Sequence, residues 1–192
     1  MAVQSNLKNM AIVLSAVCLV CSALLAGTYA VTAEPIANAS VKALQTALSE
    51  VLPEGGDISV EPQYIEVDGV RYEYYVQSEG GQSKAWAVKS STSGFGGELT
   101  VLVGVKPGSL VYSTKVLSHS ETPGLGAKCQ DDQGFLGQFK GFDASSGKLS
   151  VSKDGGDIDA ITASTITSRA YTLAVANAVK AVSQLQNTCG NE

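Results

Sequence analysis

Most hydrolytic and metal-dependent sites are built from residues that this chain nearly lacks. It has one histidine, His119, and four cysteines in two unlike settings: Cys18 and Cys21 in an apolar stretch, Cys129 and Cys189 in the polar remainder. With one imidazole available, neither pair has the ligand spacing of a zinc site, so no metal centre is expected. Positive charge is scarce as well. Thirteen lysines and arginines against 18 acidic residues leave a formal charge of −5, a pI near 4.9 and no basic run. That balance leaves no footprint for nucleic acid. The 192 residues suffice for one membrane segment and one compact domain, and a second full domain is not expected.

Charge is missing altogether from residues 9–33, where Ala, Val, Leu and Ile dominate. At 1.5 Å rise per residue the run is long enough to cross a hydrocarbon core of roughly 30 Å. Lys8 precedes it and Glu34 follows, so the positive-inside rule puts residues 1–8 in the cytoplasm and residues 34–192 outside, with 9–33 as a transmembrane helix. A cleaved signal peptide is the competing reading, because small residues follow the apolar run, but that run exceeds a usual signal core. In an apolar helix Cys18 and Cys21 are expected to be packing residues. On an oxidising side, Cys129 and Cys189 are candidates for a disulfide.

Beyond the apolar run, Val41, Leu44, Leu48 and Val51 recur at helical spacing until Pro53-Glu54-Gly55-Gly56, which predicts a short amphipathic helix. Alternating segments at 58–60, 64–67 and 70–76 predict strands, with Asp68-Gly69 as a hairpin turn, and further strands are expected at 85–89, 99–105 and 110–117 between Gly-rich or Pro-Gly connectors. A glycine-rich loop is expected from Glu121, and a long final helix from near Ser164 through Leu185. Trp86 is expected in the core. This order predicts an α+β fold with a twisted, mainly antiparallel sheet and flanking helices.

The densest chemistry lies in Asp159-Ala-Ile-Thr-Ala-Ser-Thr-Ile-Thr-Ser168, which places Thr162, Ser164, Thr165, Thr167 and Ser168 at the start of that helix. Such hydroxyls can simply cap a helix. The same unpaired amides, with the positive end of the helix dipole, can instead hold an anion such as a phosphate.

This stretch resembles the flavinylation motif of the FMN-binding domain family shared by the G subunit of the Rnf complex and the C subunit of the sodium-translocating NADH:quinone reductase. Asp159 and Thr162 fit the motif, and Thr165 takes the position of the threonine esterified to FMN phosphate. Ala163 and Ser164 stand where Gly and Ala are more usual. A second segment, His119-Ser-Glu-Thr-Pro-Gly-Leu-Gly126, is similar to the family's other signature, and a third, Gly94-Phe-Gly-Gly97, resembles its aromatic glycine corner.

The resemblance implies covalent FMN on Thr165, with Thr162, Ser164, Thr167, His119, Glu121, Thr122, Gly124 and Leu125 as further cofactor-binding candidates and no catalytic side chain. It also implies an electron-transfer subunit of a membrane-bound, ion-translocating ferredoxin:NAD oxidoreductase. Its partners would be the other Rnf subunits, with a flavin transferase acting during maturation. The quinone-reductase C subunit is the nearest alternative. A membrane-anchored extracytoplasmic binding module, in which the hydroxyl cluster only caps a helix, is the alternative of another class.

Overall fold

The structure, a computed structural model, describes residues 7–189, so the first six residues of the expected cytoplasmic segment 1–8 lie outside the described residues. The chain divides into two compact units, Met1–Ala43 and Leu44–Glu192.

The described residues of the first unit all lie in one helix, α1 (Leu7–Val51), whose last turns, from Leu44, belong to the second unit; it is long and apolar enough to cross a membrane. Leu14, Leu19, Leu24 and Leu25 are exposed along it, as side chains meant for lipid would be. Thr28 and Thr32 return their hydroxyls to carbonyls one turn back, at Leu24, Leu25 and Thr28, which satisfies them inside the helix. The pattern predicts a break after residue 33 and a separate amphipathic helix, whereas the helix continues through Pro35. Proline removes one rung of the ladder. Ala33, Ala37, Ala39 and Ala43 surround it with strong helix formers, and no glycine follows Gly27 before Val51.

The second unit is built on an antiparallel sheet of β1 (Asp57–Ile58), β2 (Gln63–Val67), β3 (Val70–Glu79), β4 (Gln82–Ser93), β5 (Glu98–Lys106) and β6 (Leu110–His119). β1 and β2 share one edge of β3, and β4, β5 and β6 follow in order on its other side. The long final helix, α3 (Thr165–Cys189), covers one face. Leu99, Val101, Val103 and Val105 of β5 point into that layer with Ala170, Tyr171, Ala174, Val175, Ala178 and Val182. The alternate positions of β5 face the last turns of α1, where Ala47, Leu48, Val51 and Leu52 pack on Tyr75, Ala85, Ala87 and Leu102. Because β5 is buried on both faces, its middle reads as a nearly continuous apolar run, interrupted only by Thr100, rather than an alternating one. Each fully buried Leu or Val of this kind contributes on the order of 2 kcal/mol. Gly104 marks the closest approach, since a Cβ there would stand 1.7 Å from the carbonyl oxygen of Val51.

The segment expected as a glycine-rich loop contains a 3-10 turn at Gly126–Gln130, a one-turn helix α2 (Gln133–Gly137) and a second 3-10 turn at Ser152–Asp154. These are too short to show periodicity. Asp132 caps α2 by accepting from the amides of Gly134 (2.9 Å) and Phe135 (3.1 Å). Phe135, Phe139 and Tyr171 then pack edge to face or tilted, with ring centroids 5.0 to 5.2 Å apart, and the Tyr171 hydroxyl donates to Thr114 Oγ1 at 2.7 Å. Burial pushes the Tyr171 phenol well above its ordinary value. Trp86 is half-buried against the core. Cys129 is a free, fully buried thiol rather than half of a disulfide, and the side chain of Cys189 lies outside the described residues.

Candidate functional site

Three stretches distant in sequence meet at the carboxylate of Glu121, which is buried. Its Oε1 accepts from the amides of Phe95 (2.8 Å) and Gly96 (3.2 Å), and its Oε2 accepts from the Thr167 hydroxyl (2.7 Å). The glycines of the corner between β4 and β5 make room for this. A Cβ on Gly94 would lie 2.0 Å from Oε1, and one on Gly126 would lie 2.4 Å from Oε2. His119 supports the arrangement from behind: its Nδ1 accepts from the Glu121 amide (3.2 Å), and its Nε2 meets Gln130 Oε1 at 3.1 Å. Cys129 sits close by, and burial, followed by the charges of Glu121 and Asp131, pushes its thiol up to about 11. It is therefore a protonated core residue and no nucleophile.

The hydroxyl cluster at the start of α3 divides by role. Ser168 Oγ accepts from the Ile161 amide (3.0 Å) and donates to the Ser164 carbonyl (2.9 Å), closing the turn that leads into the helix. Thr167 is committed to Glu121. Thr162 is exposed. Thr165, the first residue of α3, is half-buried, and its Oγ1 accepts from Lys153 Nζ at 3.2 Å. Ser164 Oγ is buried and meets no hydrogen-bond partner among the described residues. The position before the helix is thus occupied by a serine that does not cap it. Ala163 takes the left-handed conformation (φ 62°), which explains why glycine is more usual there and costs about 1 kcal/mol.

Phe95, Glu121, Thr122, Leu125, Gly126 and residues 163–167 enclose an open cavity of about 330 Å³. Of the residues singled out from sequence, Thr165, Ser164, Thr167, Glu121, Thr122 and Leu125 line it, whereas Thr162, Gly124 and His119 are not among its lining residues. Sequence reasoning did not assign Phe95, Ile166 or Lys153. Phe95 lies inside the Gly94-Phe-Gly-Gly97 motif, but Lys153 is twelve residues from Thr165 and carries no motif. Phe95, Leu125 and Ile166 are 67%, 46% and 51% exposed, so the cavity has an apolar rim. A buried hydroxyl lacking a partner at the amino end of a 25-residue helix, beside such a rim, suits a ligand with a phosphate and a flat apolar ring. The residues present therefore fit FMN.

A cavity of this make-up suits a flavin, and the family described as FMN-binding domain matches residues 94–180, so the chain carries a domain of the flavin-binding class. The family described as RnfG N-terminal region matches residues 1–51. Over 88% of both chains the protein is 34% identical to the G subunit of the proton-translocating ferredoxin:NAD(+) oxidoreductase complex of Clostridium ljungdahlii. It is 32% identical to the G subunit of the ion-translocating oxidoreductase complex of Vibrio cholerae, across 97% of this chain and 95% of that one. The chain belongs to this family of G subunits. Among solved structures it is similar to the C subunit of the Na(+)-translocating NADH-quinone reductase from Parabacteroides distasonis, with a TM-score of 0.44, 24% identity, and coverage of 58% of this chain and 60% of that chain.

Proposed function

We propose that this chain is the electron-carrying G subunit of a membrane-bound, ion-translocating ferredoxin:NAD oxidoreductase, holding FMN through a phosphoester to Thr165. The observation that carries this reading is the pairing of Thr165 with Ser164. One hydroxyl reaches the cavity at the first position of α3, and its neighbour is buried without a partner. Ser164 Oγ would donate to a phosphate oxygen, and the helix start would hold the remaining charge. Phe95, Leu125 and Ile166 would flank the ring, and Thr122 lies within reach at the rim. FMN, when bound, supplies one- and two-electron transfer. The chain's own residues hold, orient and partly desolvate it, and the complete reaction belongs to the assembled complex, whose other subunits are this chain's partners.

A phosphoester suits a carrier outside the cell, where a dissociated flavin would be lost. The reading therefore includes an extracytoplasmic domain at 34–192 behind the membrane helix 9–33, loaded by a flavin transferase that uses FAD and Mg²⁺. Peptide mass spectrometry of the chain from its native membrane should find FMN, less one water, on the peptide containing Thr165. Thr165→Val should abolish covalent flavin while the protein still folds, because the β-branched shape is kept. Flavin mass on Ser164 or Thr167 would refute the position. A wild-type chain without covalent flavin in the presence of an active transferase would refute the reading.

A further inference from the structure

The turn at Ser152–Asp154 matched no motif, yet it brings an ammonium to the hydroxyl on which the proposed function depends. Lys153 Nζ lies 3.2 Å from Thr165 Oγ1. The lysine is not carried on a loose loop. On its C-terminal side, Asp154 accepts from Arg169 twice, Oδ2 from Nε and Oδ1 from Nη2, each at 2.6 Å, which pins the turn to α3 one helical turn beyond Thr165. On its N-terminal side, Val151 bridges Ile158, whose side chain is fully buried, and the Ser152 amide donates to the Ile158 carbonyl at 2.7 Å. Gly155, in the left-handed conformation, ends the turn. Arg169 holds the Asp154 carboxyl below the usual carboxylate range, so the fork persists through the neutral range and into mild acid. The guanidinium is committed to that fork, which leaves Lys153 as the cation at the hydroxyl.

We propose that Lys153 is the charge-stabilising residue of flavin attachment: it receives the phosphate at Thr165 and assists its transfer. This rests on the reading of Thr165 as the attachment point. In the transfer, Thr165 Oγ attacks the flavin-side phosphorus of FAD. One O–P bond forms, the P–O–P anhydride bond breaks, AMP leaves with the bridging oxygen, and the hydroxyl proton passes to a base of the transferase. Nothing is oxidised or reduced. Two like-charged phosphates must approach a neutral, weakly nucleophilic hydroxyl, and charge grows on the equatorial oxygens as they do. An ammonium beside the attacking oxygen can turn from Oγ1 to a phosphate oxygen without moving its backbone, which frees the Oγ1 lone pair for attack and offsets both the charge that approaches and the charge that grows. After transfer the same ammonium pairs with the diester, while Ser164 donates to it from the protein interior.

The test uses the full chain in detergent micelles with a flavin transferase, FAD and Mg²⁺, following flavin fluorescence that stays with the denatured polypeptide. Lys153→Met should slow attachment about tenfold, less than for a buried donor because this lysine is exposed. Lys153→Arg should stay within about threefold of wild type, since charge matters more than shape here. Added salt should slow the wild type and Lys153→Arg but leave Lys153→Met nearly unchanged, and thermal unfolding should be alike in all three. Attachment to Lys153→Met at the wild-type rate, or Lys153→Arg as slow as Lys153→Met with no difference in salt response, would overturn the proposal and leave Thr165 as the attachment point. Absence of flavin from wild-type Thr165 under these conditions would overturn both.

Discussion

At the scale of single residues, Glu121 shows how a motif can be read correctly for place and incompletely for role. It lies in the signature segment and lines the cavity, but both carboxylate oxygens accept from the protein itself, at Phe95, Gly96 and Thr167. Removing it strands two amides and a buried hydroxyl. Glu121→Ala should therefore lower unfolding stability by about 3 kcal/mol in urea titrations of the micellar protein. Glu121→Gln, which turns an amide donor toward donors, should cost about 1 to 2 kcal/mol. If Glu121 served the ligand alone, both variants would keep full stability and lose only flavin. The five hydroxyls around the start of α3 are equally visible in sequence, yet their roles are not, because Thr167 and Ser168 are satisfied by partners 46 and 7 residues away. Ser164 is the buried hydroxyl of the cluster that meets no partner among the described residues.

At the scale of elements, legibility followed length and two-sidedness. β5 was readable because burial on both faces makes nearly every position apolar, and α3 because one face repeats at helical spacing over 25 residues. The turn at Ser152–Asp154 was not, since three residues carry no period. The sequence divides α1 in two because the uncharged run ends at residue 33 and helical spacing resumes only at Val41, whereas the helix formers between them carry it unbroken through Pro35. The end of α1 meets the sheet at Gly104, where no side chain can be accommodated against the Val51 carbonyl. Gly104→Ala should force these last turns off the sheet and cost about 2 to 3 kcal/mol, read as a lower urea midpoint in the micellar protein. Gly27→Ala in the apolar part of the same helix meets nothing within 4 Å and should leave stability unchanged or slightly raised. Equal behaviour of the two variants would contradict the close contact at Gly104.

At the scale of the whole molecule, the sequence plainly carries a helix long and apolar enough to cross a membrane and an FMN-binding domain, while the proposed side of the membrane rests on a small charge difference between Lys8 and Glu34. The proposed orientation predicts that protease added to intact spheroplasts removes the domain, as followed by a C-terminal tag, while a cytoplasmic control survives. Survival of both would place the domain inside. The tie at Glu121 has a temporal consequence as well. It joins residues near 95, 121 and 167, so the last hydrogen bond of the cavity wall comes from α3, close to the end of the chain. A nascent or truncated polypeptide that stops before α3 has neither the wall nor the threonine, and one with α3 still undocked has the threonine without the wall. On the proposed attachment at Thr165, and with the cavity wall needed to seat the flavin, attachment would become a stamp applied to finished molecules, and the yellow fraction of a preparation would count chains that completed folding before the proposed transferase met them.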